Sequence, residues 1–478
     1  MATQFLQSLI SLSAAFLLCG FSAFAQADYY VGDTIEFSTL GLQDADHAVI
    51  AVNSFGDAIV ANHTAFAGHS KAVEVNILLS LGPNPSDGFK LIPPKKLGDP
   101  TLDIYGYGGD SCVKPDAEAM SDDSFIIVWE RQELSNRHPS RLEICRIFTR
   151  DTAGNLLPQP TIQTAQFGEG YILDDTSTAG DGGFMPDIAA CDSSNPTAVF
   201  VVYVHEAMKK VRPATTYRDY EIRCRKMNWN STSQAPLLGN ITTIQSGIAF
   251  DNNAGSPYEG GMVLPDAVFD DSGNLVVAYE QYIIAPHFGH SGAAKGTIQV
   301  RRYASSPFAE MDALEFTGYA DARLERRPML ASSNADNNNR VLLGWVERFS
   351  DAAIAHRAHF RSIRFDTGAA GHTPPVTIPW DESFGLEDDL PQVAMSGRTQ
   401  FLISSRSFPN QISLISSYKN ATAQMTTNQV NTGVNYSWRP SVVLYDFNTF
   451  TIGFFAFEGA DTNDPSLFKT FLRIQKIQ

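Results

Sequence analysis

Positive charge is scarce in this chain. Its 35 Lys and Arg stand against 52 Asp and Glu, a formal net charge of -17 over 478 residues. A protein that neutralises phosphates needs a basic face, so a nucleic-acid partner is excluded, and binding to anionic lipid surfaces is disfavoured for the same reason. Long apolar runs are missing after the first 25 residues, and none approaches the roughly 18 that a membrane helix needs. No segment shows sustained helical periodicity, which argues against helical bundles and α/β folds. There is no Cys-x-x-Cys pair, no Gly-rich phosphate loop and no Gly-x-Ser-x-Gly elbow, so zinc, nucleotide and α/β-hydrolase chemistry have no foothold.

What is present begins with residues 1–25, which carry no charged side chain and end in Ala23-Phe24-Ala25, the small-x-small pattern of a signal peptidase site. We therefore expect a signal peptide over 1–25, a single domain over 26–478, and a secreted, periplasmic or cell-surface location. Of five cysteines, Cys112, Cys145, Cys191 and Cys224 remain beyond that segment. In an exported chain they permit two disulfides, although Cys145 and Cys224 also fit as small buried hydrophobes.

The clearest pattern runs from Leu264 to Tyr303. It reads Leu264-Pro265-Asp266-Ala267-Val268-Phe269, a turn at Asp271 to Asn274, Leu275-Val276-Val277-Ala278-Tyr279-Glu280, a polar loop, and Ile298 to Tyr303. Three short strands follow one another. Related units open at Ala48, Lys114-Pro115-Asp116, Met185-Pro186-Asp187, Arg327-Pro328-Met329, Leu390-Pro391-Gln392 and Arg439-Pro440-Ser441. Short β-branched and aromatic runs joined by Asp/Asn/Gly/Ser turns predict an all-β, seven-bladed β-propeller. The strand at Asp33 to Ser38 is expected to complete blade seven, tying the N-terminus to the C-terminus.

This pattern resembles a group of exported bacterial β-propeller repeat proteins, in which a Pro-x-[Val/Ile/Ala]-Ala strand precedes an aliphatic strand ending in Trp or Tyr. The resemblance implies a binding scaffold, a lectin-like protein or a glycan-active enzyme. Sialidases are also propellers, but their Ser-x-Asp-x-Gly-x-x-Trp box has no clean copy here. The Asp-x-Asp-x-Asp-Gly calcium loop of integrin-like lectins is absent as well. No cofactor is expected, with calcium as the one alternative.

Two sets of residues are candidates for a shared central pocket. Asp116, Asp187 and Asp266 follow the blade-opening proline, where they could supply an acid and a base or simply accept hydrogen bonds from backbone amides. Glu130, Glu206, Glu280, Glu347 and Glu458 lie at the exit of the second strand, with Arg131, His205, Arg348 and Arg406 nearby. These suit gripping sugar hydroxyls, or they form a solvated strand end. The spaced pairs His287/His290 and His356/His359 read as loop histidines rather than metal ligands. Arg327 and Arg439 could steady an acidic substrate. The leading expectation is a monomeric binding protein for a carbohydrate or protein partner; the alternative is a glycan-cleaving hydrolase or lyase. Five Asn-x-Ser/Thr sequons occur, at Asn62, Asn230, Asn240, Asn420 and Asn435.

Overall fold

The computed structural model describes residues 28–37, 46–65, 71–97, 111–132, 141–164, 170–173, 182–192, 195–212, 215–229, 235–246, 250–251, 262–283, 295–317, 323–332, 340–349, 357–365, 376–379, 392–396, 399–407, 411–418, 425–447, 450–460 and 468–477. Among these, every extended element is a strand, and no helix is long and apolar enough to cross a membrane.

Antiparallel meanders succeed one another along the chain. The first sheet holds Asp46–Val52, Ala58–Ala65, Lys71–Ser80 and Phe89–Leu97. The second holds Ser111–Ala119, Phe125–Gln132 and Arg141–Arg150, with Leu156–Gln163 and Tyr171–Ile172 both pairing the third strand. The third is built from Gly182–Asp192, Asn195–Arg212, Thr215–Asn228 and Leu237–Ser246, with Phe250–Asp251 added at its edge. The fifth comprises Gln392–Met395, Thr399–Ser407, Gln411–Tyr418 and Met425–Asn431. The sixth joins Tyr436–Phe447, Phe450–Ala460 and Lys469–Ile477 to the N-terminal Thr34–Glu36, which pairs through Thr34↔Arg473, Ile35↔Leu472 and Glu36↔Phe471.

The fourth sheet corrects the expected count. It is eight-stranded, because the meander from Met262–Phe269 to Phe308–Thr317 is joined to the one from Arg323–Ala331 to Val376–Pro379 by a parallel bridge, Gly296↔Leu324. The strands therefore fall into six sheets, a six-bladed propeller rather than the seven blades read from the sequence. Counting sequence units registers each meander but not a hydrogen bond between two of them, and that bond is what merges the pair.

The first strands of successive meanders pack against one another in a closed ring, from Asp46–Val52 round to Tyr436–Phe447 and back. The apolar cores lie between neighbouring sheets. Ile59, Ala61 and Val75 of the first pack with Phe125, Ile127 and Trp129 of the second. Phe200 and Val202 of the third pack with Val277 and Tyr279 of the fourth. A lone sheet of this kind would leave one apolar face in water, so each face is covered by the next sheet round the ring.

The Pro-containing opening has a structural cause. In the first strands the pairing register shifts between Val113 and Asp116, Phe184 and Asp187, Val263 and Asp266, Arg326 and Met329, and Trp438 and Ser441. Each shift contains the residue before the proline and the proline itself. Proline cannot donate to the ladder, so a bulge is where a strand tolerates it. Lys114 and Met185, at φ 49° and 50°, take the left-handed backbone that such a bulge demands.

Two cysteines settle part of the disulfide question: Cys145 and Cys224 are buried free thiols. Burial pushes both well above the usual thiol range. The side chains of Cys112 and Cys191 lie outside the described residues.

Candidate functional site

The bulge aims the residue after the proline at the next meander. Asp116 accepts a hydrogen bond from the Ile188 amide at 2.7 Å, and Asp187 accepts one from the Ala267 amide at 2.6 Å. Asp266 accepts from the Leu330 amide in the same manner. The three Asp side chains thus tie four consecutive first strands together, the backbone-acceptor role the sequence allowed. In the following meanders Met329, Gln392 and Ser441 stand in their place.

These carboxyls also form an electrostatic group. Burial pushes Asp116 up to about 7, against the Ile188 and Ala117 amides, which pull it down. Asp187 is held well above the usual carboxylate range by burial and then by Asp266 and Asp116. Asp266 is raised by burial and then by Asp116. A fourth member, Glu118, was missed in the sequence; burial and the negative charges of Asp116 and Asp266 push it up to about 8. Its signal was available, since it sits two residues beyond Asp116 and a strand's period of two places both on one side. Asp116, Asp187, Asp266 and Glu118 are each only half-buried by surface, yet desolvation is the largest influence on all four.

The second candidate set divides. Glu130, Glu280 and Glu458 oppose the last residue before the bulge, as His63 does in the first sheet. All four are buried, which overturns the solvated strand end as their description. Glu130 Oε2 accepts from the Met185 amide of the next sheet at 3.4 Å and lies 3.7 Å from Lys114 Nζ, while Gln132 donates to Oε1 at 2.8 Å. His63 Nδ1 similarly accepts from the Lys114 amide at 3.3 Å. This position therefore caps the bulge of the following meander. Glu206 pairs with Gly182 and Glu347 with Glu325, so both lie further along their strands than Glu130 and out of that equivalence. The side chains of Glu206, Glu347, Arg327, Arg439, Arg348 and Arg406 lie outside the described residues, as do His287, His290 and His356.

Other polar candidates serve the fold. Arg131 pairs with Glu143 at 3.1 Å, and His359 stacks on Trp345 at 5.2 Å between ring centres. The turn at Asp271-Ser272-Gly273 is organised by Asp270, whose Oδ1 accepts from the Ser272 and Asn274 amides at 2.9 Å. Among the sequons Asn62 is fully buried, while Asn240 and Asn435 are exposed. Among the described residues, no group of three or more His, Cys, Asp and Glu is placed to hold a metal ion. An open groove of about 440 Å³ lies between the outer strands of the third and fourth sheets, lined by Phe200, Leu237, Leu238 and Phe308, away from the carboxyl group.

No protein-family model and no curated protein sequence matches the chain. Among solved structures, polysaccharide lyase Uly1 shares 10% identity at a TM-score of 0.50, with 95% of each chain covered. The Penicillium chrysogenum alpha-L-arabinanase in complex with arabinobiose shares 9% at 0.42, covering 76% of this chain and 92% of that one. The GH93 alpha-L-arabinofuranosidase of Fusarium graminearum shares 11% at 0.42, with the same coverage. What is shared is the propeller fold. The comparison supports that fold with glycan-active neighbours, and not the particular group of exported repeat proteins that the proline motif resembles.

Proposed function

We propose that the chain is a glycan-cleaving enzyme, a hydrolase or lyase, acting at the inner-strand carboxyls. The observation that carries this reading is the cluster of Asp116, Glu118, Asp187 and Asp266 on neighbouring first strands, in which Asp116 is raised to about 7 and Glu118 to about 8. A carboxyl that keeps its proton near neutrality is what a general acid requires, and crowding four of them separates protonated from ionised members. Glu118 supplies the proton to the leaving oxygen. Asp116, the more readily ionised of the two, acts as the base while its other oxygen keeps the Ile188 amide.

The similarity over 95% of each chain to a polysaccharide lyase supports this class over the non-catalytic binding scaffold expected first. Arg327 and Arg439, each within a first-strand register shift, remain our candidates for steadying an acidic substrate. Action outside the cytoplasm completes the reading and rests on the apolar stretch over residues 1–25.

The test is turnover of a polysaccharide panel, read both as new reducing ends and as absorbance of unsaturated uronate products. Glu118→Gln is expected to lower the rate by roughly 100-fold or more. Asp116→Asn retains an acceptor for the Ile188 amide and so separates chemistry from folding. Full activity when Asp116→Asn and Glu118→Gln are combined, or no turnover on any polymer, would sink the proposal.

A further inference from the structure

The interface between the first and sixth sheets is built differently from the others. In five of the second strands, the residue just before the one opposing the bulge points back at the preceding meander. That residue is Trp129, Tyr203, Tyr279, Trp345 and Phe457, all buried, and each lies in the apolar core it shares with its predecessor. In the first sheet the same place is held by Asn62. The first sheet meets the sixth through Ala58, Val60 and Leu78 against Phe454, Ala456 and Leu472. One step along those strands the apolar contact stops and oxygen takes over.

From the first sheet come Asn62, Glu74, Asn76 and Thr64; Asn62 lies opposite Glu74, and Asn76 is the diagonal neighbour. From the sixth come Glu458 and Thr470, directly opposite each other and continuing the face of Ala456 and Leu472. All six are at most 2% exposed. The amide oxygen and nitrogen of both Asn62 and Asn76, and the Thr470 hydroxyl, have no hydrogen-bonding partner among the described residues. Buried polar atoms are rarely left so, because each costs its full desolvation. Two amides with all four atoms orphaned, where five other meanders pack an aromatic ring, mark a place shaped for something else.

We infer that this seam is a binding site for a hard divalent cation of the calcium type. The donors are two carboxylates, two amide carbonyls and two hydroxyls, with no sulfur and no imidazole among them. Such an all-oxygen set of six or more ligands suits calcium, and it disfavours zinc or copper. Bound there, the ion ties the first sheet to the last and so locks the ring at its closure. The orphaned amide nitrogens then have carboxylate oxygens within their own cluster to donate to.

Thermal unfolding of the full chain tests this, after dialysis against a chelator and then with calcium chloride or magnesium chloride added back. Calcium is expected to raise the midpoint by on the order of 5 °C, because a ligand that binds only the folded state stabilises it. Asn62→Phe restores the aromatic of the other meanders and should give the same midpoint with and without calcium. Glu74→Gln should fold and lose the shift, and Asp116→Asn in the inner wall should keep it. A wild-type midpoint that ignores calcium and chelator alike overturns the site in favour of buried water. A shift that survives both Asn62→Phe and Glu74→Gln places the ion elsewhere and overturns it equally.

Discussion

The two faces of the first sheet solve the same packing problem in opposite ways. Toward the second sheet, Ile59, Ala61, Val73, Val75 and Ile77 close on Phe125, Ile127 and Trp129, and the end of that interface is sealed by one charged group. There Asp57, with no exposed surface, takes Arg150 Nε and Nη2 at 2.7 Å each, Thr149 Oγ1 at 2.9 Å and the Ser80 amide at 2.8 Å. Its charge is matched and its lone pairs are filled. Toward the sixth sheet the apolar contact ends in orphaned amides at Asn62 and Asn76. One face is finished by the chain itself, and the other is completed by something the chain recruits. The chain's two ends meet in the sixth sheet, so the unfinished face falls where the ring closes.

The largest test of this contrast replaces the ring that fills the finished face. Trp129 is fully buried and makes its contribution through packing, since its Nε1 has no hydrogen-bond partner among the described residues. Trp129→Ala is expected to cost about 3–5 kcal/mol, from lost burial and the cavity left behind. Asn62→Ala, at the equivalent place on the other face, should change stability by less than about 1 kcal/mol in calcium-free buffer, because it removes an amide with no partner. Chemical denaturation of both variants decides it, and equal losses would erase the difference between the faces. Next in size is Asp57→Ala, which leaves Arg150 beside a desolvated gap; about 3 kcal/mol is expected. Asp57→Asn keeps the acceptors for Thr149 and Ser80, so its smaller loss would isolate the share due to charge.

How much of this was legible beforehand differs from one residue to the next. The first and second strands could be read because Val, Ile, Phe and Tyr alternate between turns of Asp, Gly and Asn, and the proline marked the bulge without revealing it. The Asp at the next position was visible as a site candidate, but its bond to the following strand depends on how far the meanders sit from one another. No local pattern carries that distance. Glu130 and Glu280 look like a charged strand end in sequence, and only the neighbouring bulge, whose amide Glu130 accepts, explains their burial. The join at Gly296 and Leu324 is a single bridge between sequence-distant strands, with no periodicity to announce it. Asn62 was visible only as a glycosylation sequon; its meaning emerges when it is set beside Trp129 and Tyr279.

The inner wall offers a third test, through the response of its carboxyls to pH. Asp116 and Glu118 hold protons up to about 7 and 8 in the folded chain. In the unfolded chain they release them near 4. Between those limits the folded state binds more protons, so stability falls as pH rises from about 4 to about 8. Unfolding midpoints at pH 5 and pH 8 should therefore differ in favour of pH 5. Asp116→Asn combined with Glu118→Gln should flatten the slope, whereas Glu74→Gln in the seam should leave this part of it in place. A slope unchanged by the inner-wall pair would mean the proton uptake lies elsewhere.

The smallest expected effect lies at the same closure, on its outer edge. Lys469 pairs with Glu36 across the terminal strand, but both side chains are well exposed. Water already solvates each charge there, and holding two long side chains in one geometry costs entropy, so Lys469→Ala should lose no more than about 0.5–1 kcal/mol, and less in high salt. Beneath that pair Ile35 and Phe37 are buried in the core shared by the first and sixth sheets. Phe37→Ala should cost several times more than Lys469→Ala, because the terminal strand is held by what it covers rather than by its surface charges. If the two variants proved equal, the strand would be an electrostatic latch, and closure of the ring would depend on ionic strength as well as on the seam.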